Sequence, residues 1–418
     1  METVEISLKT VIKYLSTFAK WIFVSLIMGA LGGLIGSLFH LAVEYVTGFR
    51  MSHSYIIYFL PIGGLIIVKL YNMCKVDTNV GTNQVISSIR SDEKLSSVMA
   101  PLIFISTVIT HLFGGSAGRE GAALQLGGSI GNKLGRIIGL DEKDLHIITM
   151  VGMSSVFAAL FGTPLTAIFF SMEVISVGVI YYIALVPCMI ASMVAYRMSL
   201  HFDIAPIDFL VGNVPNFSLA LIIKVSIIAV VCAVVSIFFC MIMHKTEKKM
   251  ADMIKNPYKR IFLGGVLIIA LTLLCGTNDY NGTGMEVIKR ALSGQSVPIA
   301  FLLKIIFTAI TIGAGFKGGE IVPTFFVGAT LGCVLGNIMG VPCGLGAAIG
   351  LISLFCGVVN TPIASIFLSI ELFGEAGLVY FAIAVGISYM LSGYYGLYSS
   401  QKIVYSKLRA EYINLSVK

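Results

Sequence analysis

Long apolar stretches separated by short polar ones make up most of this chain. About 20 apolar residues are needed for a helix to cross the hydrocarbon core of a bilayer, and several stretches approach that length. The longest are residues 22–41, 55–70, 184–196, 219–243 and 261–274. This pattern predicts an all-α membrane protein that crosses the bilayer several times.

Other apolar stretches are short or interrupted by glycine, such as residues 349–359 and 363–373. Irregular backbone is tolerated at membrane depth only where protein or a water-filled cavity covers it. We therefore expect half-spanning helices beside the full spans, an arrangement that favours a transporter or a channel.

The composition agrees with a membrane protein. The 418 residues have a mean hydropathy of +0.94, and only 12% of them are charged, against about a quarter in soluble domains. The eight cysteines are scattered without a CxxC pair, and the six histidines form no metal-binding pattern. We expect the cysteines to behave as small apolar residues, with no disulfide, metal or cofactor.

Positive charges collect in three segments of a chain whose net charge is +7. These segments are Lys9, Lys13 and Lys20, residues 244–260, and Lys402, Lys407 and Arg409. Basic loops of membrane proteins stay in the cytoplasm, so we expect all three segments and both termini there, with no nucleic acid as a partner. The first residues lack the apolar core and cleavage site of a signal peptide, so we expect the first span to insert as it stands.

The chain contains an internal duplication. TPLTAIFFSME at residues 163–173 and TPIASIFLSIE at residues 361–371 share Thr, Pro, Ile, Phe, Ser and Glu at corresponding positions. Internal repeats of transporters usually meet at a shared site near the membrane midplane. We predict a cytoplasmic segment at 1–14, a transmembrane repeat at 15–205, a connection at 206–214 and a second repeat at 215–418, without a separate soluble domain. We expect the repeats to be inverted, although one sequence leaves their relative orientation open.

Glycines at every fourth position precede both copies of this motif. They are Gly127, Gly131 and Gly135 in the first half, and Gly328, Gly332 and Gly336 in the second. Glycines at this spacing lie along one face of a helix and allow another helix to approach closely. We therefore predict a tightly packed helix pair in each half.

The segment GGSAGREG at residues 114–121 places Arg119 and Glu120 side by side among glycines. A carboxylate at membrane depth costs at least a few kcal/mol, so Glu120 should face a cavity, a partner or a proton. We predict a helix at 121–138, whose first N–H groups would attract an anion. Glu120 would then act as a tethered anion until it is protonated or displaced. The alternative is a structural ion pair that caps a buried turn.

The segment GFKGGEIVP at residues 315–323 is the counterpart in the second half. Lys317 and Glu320 precede a predicted helix, and Pro323 suits its first position. Two helix entrances would then point at one midplane site. The alternative is that Lys317 and Glu320 pair with each other or reach an interface.

At these residues the sequence resembles a known family. GREGA at 118–122 resembles the GREGP motif of the CLC family of anion channels and proton-coupled antiporters, and GGEIVP at 318–323 resembles its GxFxP element. IVYSKL at 403–408 resembles its terminal helix entrance with a pore tyrosine. The resemblance spans the whole chain and implies a homodimer with one pathway per subunit, Glu120 as the gating, proton-accepting glutamate, and Tyr405 as the pore tyrosine. Without the resemblance, Tyr405 would be interpreted as an interfacial belt residue.

Three departures from the family pattern resemble its fluoride-exporting branch. GTNQV at 81–85 replaces GSGIP, so that Thr82 takes the place of the chloride-coordinating serine. Glu320 and Ile321 stand where chloride-type members have apolar variable residues and phenylalanine, and Val174 stands at the usual inner proton-relay glutamate. The implied anion site comprises Gly81, Thr82, Asn83, Gly118, Arg119, Gly121, Gly319, Glu320, Ile321, Val322 and Tyr405, with Lys317 as a charge partner.

The chemistry of fluoride is consistent with this branch. Fluoride is small and strongly hydrated, so a site that removes its water must offer short, strong donors such as Thr82, Asn83 and backbone N–H groups. A protonated carboxyl donates a hydrogen bond to fluoride, whereas an ionised one repels it, so Glu120 and Glu320 would be switchable donors. The alternative for Thr82 and Asn83 is that they cap the following helix.

Glu173 and Glu371 end the two motif copies, and we interpret them as structural, with Glu173 as a second choice for proton entry.

The leading hypothesis is a fluoride/proton antiporter in the cytoplasmic membrane of a prokaryote, which exports fluoride with the inward proton gradient. A chloride/proton exchanger or passive chloride channel of the same fold is the first alternative. An intramembrane enzyme is the remote alternative. It would need a nucleophile with its base, or a metal cluster, and the sequence indicates neither.

Overall fold

The structure is a computed structural model that describes residues 8–77, 81–91, 95–209, 211–212 and 214–418. Residues 1–7 of the predicted N-terminal segment lie outside these ranges. Residues 210 and 213 of the predicted connection lie outside them as well.

The described residues form sixteen α-helices. The helices of the first half are α1 (Leu8–Ser52), α2 (Leu60–Met73), α3 (Thr82–Arg90), α4 (Met99–Leu112), α5 (Glu120–Ile137), α6 (Glu142–Phe161), α7 (Pro164–Glu173) and α8 (Leu185–Leu200). Those of the second half are α9 (Leu219–Met253), α10 (Pro257–Cys275), α11 (Met285–Leu292), α12 (Ala300–Ala314), α13 (Ile321–Met339), α14 (Cys343–Val359), α15 (Pro362–Phe373) and α16 (Leu378–Leu391). Short 3₁₀ helices at Ser54–Phe59 and Tyr182–Ala184 lead into α2 and α8.

Within the described ranges, seven helical segments are long and apolar enough to cross a membrane. All five long apolar stretches of the sequence fall inside such segments, and the two short stretches fall in α14 and α15. The prediction of a helical membrane protein with both long and short apolar helices is confirmed.

A small sheet departs from the all-helical prediction. Strand β1 (Ser176–Val177) pairs in parallel with β2 (Lys402–Tyr405), which pairs antiparallel with β3 (Tyr412–Ser416). Alternation over so few residues is lost among the apolar runs, which explains why the sequence did not predict these strands. The sheet fastens the end of the chain to the segment that follows α7.

The glycine rows pack as predicted. A Cβ atom on Gly127 would collide with the carbonyl oxygen of Gly152 in α6, and one on Gly328 would collide with the carbonyl oxygen of Gly350 in α14. Each half therefore contains one helix pair, α5 with α6 and α13 with α14, in which the backbones touch because glycine has no side chain.

The two halves contact each other reciprocally through the duplicated motif. The Glu371 carboxylate accepts hydrogen bonds from the backbone N–H groups of Leu165 and Thr166 at 2.8 Å, and from the Thr166 hydroxyl at 2.6 Å. In the same way Glu173 accepts from the N–H groups of Ile363 and Ala364 at 3.2 and 3.0 Å. Each acid thus caps the entrance of the other half's helix.

Two equivalent phenylalanines lie between these capped helices. The rings of Phe169 and Phe367, which occupy the same position in the two motif copies, stack with centroids 4.5 Å apart and an interplanar angle of 2°. Contact of a residue with its own counterpart is expected where a two-fold relation between halves passes through the interface. The structural interpretation of Glu173 and Glu371 follows from this arrangement.

Candidate functional site

The two glycine-rich loops meet at the centre of the structure. Gly118 N donates to Gly319 O at 2.6 Å, and Gly319 N donates to Gly118 O at 2.7 Å, forming an isolated antiparallel bridge. A Cβ on Gly319 would collide with the backbone nitrogen of Gly121. Only glycine permits this approach, which brings together the entrances of α5 and α13, each with N–H groups that have no partner inside the helix.

Glu120 is the first residue of α5 and is completely buried. Its Oε2 atom accepts a hydrogen bond from Arg119 N at 2.8 Å, and the carboxylate also faces the backbone N–H of Val322 in the first turn of α13. Its Oε1 atom is buried without a hydrogen-bond partner among the described residues. The carboxylate therefore lies where an anion between the two helix entrances would lie.

Arg119 stands beside this carboxylate with its side chain largely buried. Its Nε atom lies 3.9 Å from Glu120 Oε1, at the outer limit of an ion pair. No hydrogen bond joins the two side chains in the described part of the chain. The ion pair considered from the sequence thus exists only as a long contact.

Helix α3 brings the segment Gly81–Asn83 to the same region. Thr82 Oγ1 donates to Gly121 O at 3.3 Å and accepts from Gln125 Nε2 at 3.1 Å, while Asn83 Oδ1 accepts from Ser400 N at 3.1 Å. The N-cap of α3 is Gly81, which has no side chain for capping. The expectation that Thr82 and Asn83 cap α3 is therefore wrong.

Glu320 stands at the entrance of α13 as its N-cap residue, without a side-chain capping bond within the described chain. Its Oε2 atom lies 3.5 Å from the position that a Cβ on Gly121 would occupy. Helix α13 begins at Ile321, so Pro323 is its third residue rather than the first. Proline fits there because the N–H groups of the first turn have no partner in the helix.

Lys317 lies in the loop just before Glu320 and is buried. Its Nζ atom lies 4.8 Å from the centroid of the Tyr71 ring, and its charge interacts with Glu247 and Asp77 as well as with Glu320. Lys317 therefore belongs to a wider group of charges than the single pair predicted from the sequence.

A cavity of about 580 Å³ extends from these residues toward the basic end of α9. Residues from both halves line it, including Gly81, Thr82, Asn83, Gln125, His244, Glu247, Lys248, Arg260, Lys317, Glu320 and Tyr398. Glu120 has no exposed surface and does not line this cavity, but it interacts electrostatically with Glu320 and Tyr398, which do. The cavity thus connects the predicted cytoplasmic segment at 244–260 with the helix entrances.

The structure corrects the position of the central tyrosine. Tyr405 lies on β2 with 49% of its surface exposed, and its ring packs against Tyr412. Residues 403–408 form a strand and a turn instead of a helix entrance, because β3 folds back and pairs with them. Tyr398 lines the cavity instead, 2% exposed, and interacts electrostatically with both Glu120 and Glu320.

Tyr398 and Gln125 are two polar cavity residues that the sequence analysis missed. The Tyr398 hydroxyl is buried and has no hydrogen-bond partner in the ranges that the structure describes. A polar group in this state is expected to meet a ligand or water. Its sequence signal was weak, since several tyrosines follow α16 and the resemblance of residues 403–408 to the family's pore-tyrosine motif favoured the later one. Val174, at the usual position of an inner glutamate, is fully buried.

Known proteins resemble this chain over most of its length. The profile of the voltage gated chloride channel family matches residues 63–393. A chloride/fluoride channel protein of Pseudomonas syringae pv. tomato is 34% identical over 396 residues, which cover 93% of this chain and 88% of that protein.

Solved structures agree with this match. The crystal structure of a CLC-type fluoride/proton antiporter has a TM-score of 0.89 at 32% identity and covers 92% of this chain and 98% of its own. A slow cyanobacterial Cl⁻/H⁺ antiporter shares the fold with a TM-score of 0.76 at 18% identity, over 89% of this chain and 94% of its own. By the match to the family profile, the related sequence and the shared helix arrangement, this chain belongs to the voltage gated chloride channel family, the CLC family.

Proposed function

We propose that the protein is a fluoride/proton antiporter, a secondary active transporter that exports fluoride by using the inward proton gradient. The observation that carries this proposal is the buried Glu120 carboxylate between the entrances of α5 and α13, with a second carboxylate, Glu320, that interacts with it and lines the cavity. Relatives described as a chloride/fluoride channel protein and as a fluoride/proton antiporter support the choice of substrate.

Glu120 couples the two ions because its charge competes with the transported anion. When ionised, its carboxylate occupies the N–H groups at the helix entrances, which carry a partial positive charge. When protonated, it loses the charge that holds it there, and an anion takes its place. Proton and anion therefore alternate at one position, which is the requirement for antiport.

Glu320 and Tyr398 favour fluoride among anions. A protonated Glu320 donates a short, strong hydrogen bond to fluoride, and the Tyr398 hydroxyl, which has no hydrogen-bond partner among the described residues, is a second donor on the same cavity. The Thr82 hydroxyl already donates to Gly121 O, so the backbone N–H groups at the start of α3, rather than this hydroxyl, complete the donor set. Lys317 offsets the negative charge of Glu320.

The orientation follows from the distribution of basic residues. Helix α10 separates the cavity residue Arg260 from the loop after Cys275, and its 19 residues span about 29 Å, the thickness of a bilayer core. Placing residues 244–260 in the cytoplasm makes the cavity the cytoplasmic entrance and puts both termini on that side. Helices α1 and α9 then run in opposite directions, as expected for inverted repeats at 15–205 and 215–418.

The proposal includes a homodimer in the cytoplasmic membrane of a prokaryote, with one pathway in each subunit. Fluoride that enters a cell as HF dissociates in the cytoplasm, and export of the anion protects against its accumulation. Because Val174 cannot carry a proton, the proton reaches Glu120 through the cavity itself rather than through an inner glutamate at that position.

Ion flux from proteoliposomes tests this function. Vesicles loaded with fluoride should release it while the external solution becomes more alkaline in a fixed ratio, and vesicles loaded with chloride should release little. Equal movement of chloride would instead support a general chloride/proton exchanger, and a lack of movement of either anion would contradict the proposal.

A substitution at Glu320 separates fluoride selectivity from transport itself. Glu320→Met keeps much of the side-chain length and removes the donor, and the loss of one hydrogen bond to a charged group, about 1.5–3 kcal/mol, predicts at least a tenfold decrease in fluoride flux relative to chloride. Glu286→Gln, which removes an exposed acid paired with Lys289 on α11, is the control and should behave like the wild type. An unchanged fluoride preference in Glu320→Met would remove Glu320 from the anion site.

A further inference from the structure

Gln125 carries an unsatisfied polar atom at the cavity. It lies on α5 one turn beyond Gly121 and is 4% exposed. Its Nε2 atom donates to Thr82 Oγ1, which in turn donates to Gly121 O. Thr82 has a single hydroxyl proton, and because it donates this proton to Gly121 O, it accepts rather than donates at Gln125. The Gln125 Oε1 atom therefore points away from Thr82, and it is buried without a partner among the described residues.

An amide oxygen accepts hydrogen bonds and cannot bind an anion. Fluoride therefore does not satisfy Gln125 Oε1, which requires a group that carries a proton. Glu320 lines the same cavity and carries such a proton when its carboxyl group is protonated. Its Oε2 atom and Thr82 Oγ1 lie 3.5 and 3.3 Å from the same point, the Cβ position of Gly121, one helical turn from Gln125.

We propose that Gln125 is a positioning residue of the proton step, whose Oε1 atom accepts the hydrogen bond of protonated Glu320 while fluoride is absent. When fluoride arrives, the Glu320 O–H turns from Gln125 to the anion. Gln125 thus keeps the proton on Glu320 between proton loading and anion binding. This inference rests on the proposed function, since it assigns a partner to the proton that the antiporter carries.

Other titratable or charged groups also face Glu320. They are Glu120 on α5, Glu247 on α9, Lys317 in the preceding loop and Tyr398 after α16. Asp77 and Arg260 lie beyond Lys317. These groups set the pH at which Glu320 binds its proton. They are unchanged in a variant of Gln125 alone, so that a shift in the pH profile reports on the carboxamide.

The test is the pH at which fluoride flux reaches half its maximum in proteoliposomes. Gln125→Met keeps the side-chain length and removes the acceptor, so protonation requires a more acidic solution. A neutral hydrogen bond of about 1 kcal/mol corresponds to an acid shift of about 0.7 pH unit. Gln84→Met is the matched control, because Gln84 also has a buried Oε1 atom without a partner in the part of the chain that the structure describes, but lies outside the residues that line the cavity. Its profile should match the wild type.

Gln125→Glu gives a shift of the opposite sign. A negative charge beside Glu320 favours retention of its proton, so half-maximal flux should move to more alkaline pH. Opposite shifts in the two variants would support the inference, since a purely structural role would not change sign. If Gln125→Met does not fold, the alkaline shift of Gln125→Glu carries the test alone. Unchanged profiles in a wild type that exchanges fluoride for protons would overturn the inference alone, whereas a wild type without proton-coupled fluoride flux would overturn the proposed function.

Discussion

Two pairs of carboxylates lie at helix entrances in this protein, and their surroundings differ. Glu173 and Glu371 each accept hydrogen bonds from backbone N–H groups of the other half, so that both are held in place. Glu120 and Glu320 lie at entrances of the same kind, yet Glu120 keeps one unpartnered oxygen within the described structure and Glu320 faces a cavity. We propose that the number of fixed donors distinguishes a carboxylate that joins the halves from one that exchanges its place with an anion.

We expect the largest loss of stability and transport at the crossing of the two glycine-rich loops that precede α5 and α13. In Gly319→Ala the new Cβ would collide with the backbone at the start of α5, and overpacking of this kind costs about 3 kcal/mol. We expect a lower unfolding temperature in detergent and loss of fluoride flux together. Gly48→Ala is the control, because a Cβ at this position of α1 meets nothing within 4 Å. A Gly319→Ala protein with wild-type flux would show that the close crossing is unnecessary.

Substitutions at Glu173 and Glu371 should lower the stability of the protein and leave the coupling of protons to fluoride unchanged. Glu371→Gln replaces a carboxylate that binds three donors by an amide with one acceptor oxygen, and we expect a cost of about 2 kcal/mol. Glu173→Gln should cost less, since its two hydrogen bonds are longer. Thermal unfolding measures both, and the ratio of protons to fluoride should stay at the wild-type value. A changed ratio would give these acids a part in proton movement.

The smallest effect concerns the two tyrosines. Tyr398→Phe removes a hydroxyl that faces the cavity, and we expect about a tenfold loss of apparent fluoride affinity, equivalent to about 1.4 kcal/mol. Its stability should not decrease, because the hydroxyl has no partner among the described residues. Tyr405→Phe, at a half-exposed ring, should leave fluoride transport unchanged. The reverse result would restore the sequence-based assignment of Tyr405.

The sequence predicted the parts of the fold that depend on local patterns. Apolar length predicted the spanning helices, and glycine spacing predicted the contact of α5 with α6, because a period of four residues fixes one face of a helix. The motif around Glu120 predicted a helix entrance within one residue of the observed start of α5.

Features that depend on contacts between residues far apart in the sequence could not be predicted in the same way. The sequence showed that Glu173 and Glu371 are equivalent, but not that each binds the other half's helix. The assignment of Tyr405 failed because the end of the chain folds as a hairpin that leaves Tyr398 at the cavity. Gln125 belongs to no recognisable sequence motif. Its place in the site becomes visible only in the structure, where its Nε2 atom donates to Thr82 Oγ1.

Coupling in Glu120→Gln tests the central claim most directly. The amide has nearly the same shape as the carboxylate but cannot bind or release a proton at neutral pH. Fluoride efflux and external pH should be recorded together for Glu120→Gln, Glu371→Gln and the wild type. We predict that fluoride flux in Glu120→Gln proceeds without proton uptake, while Glu371→Gln keeps the wild-type ratio. Proton uptake at the wild-type ratio in Glu120→Gln would contradict the account.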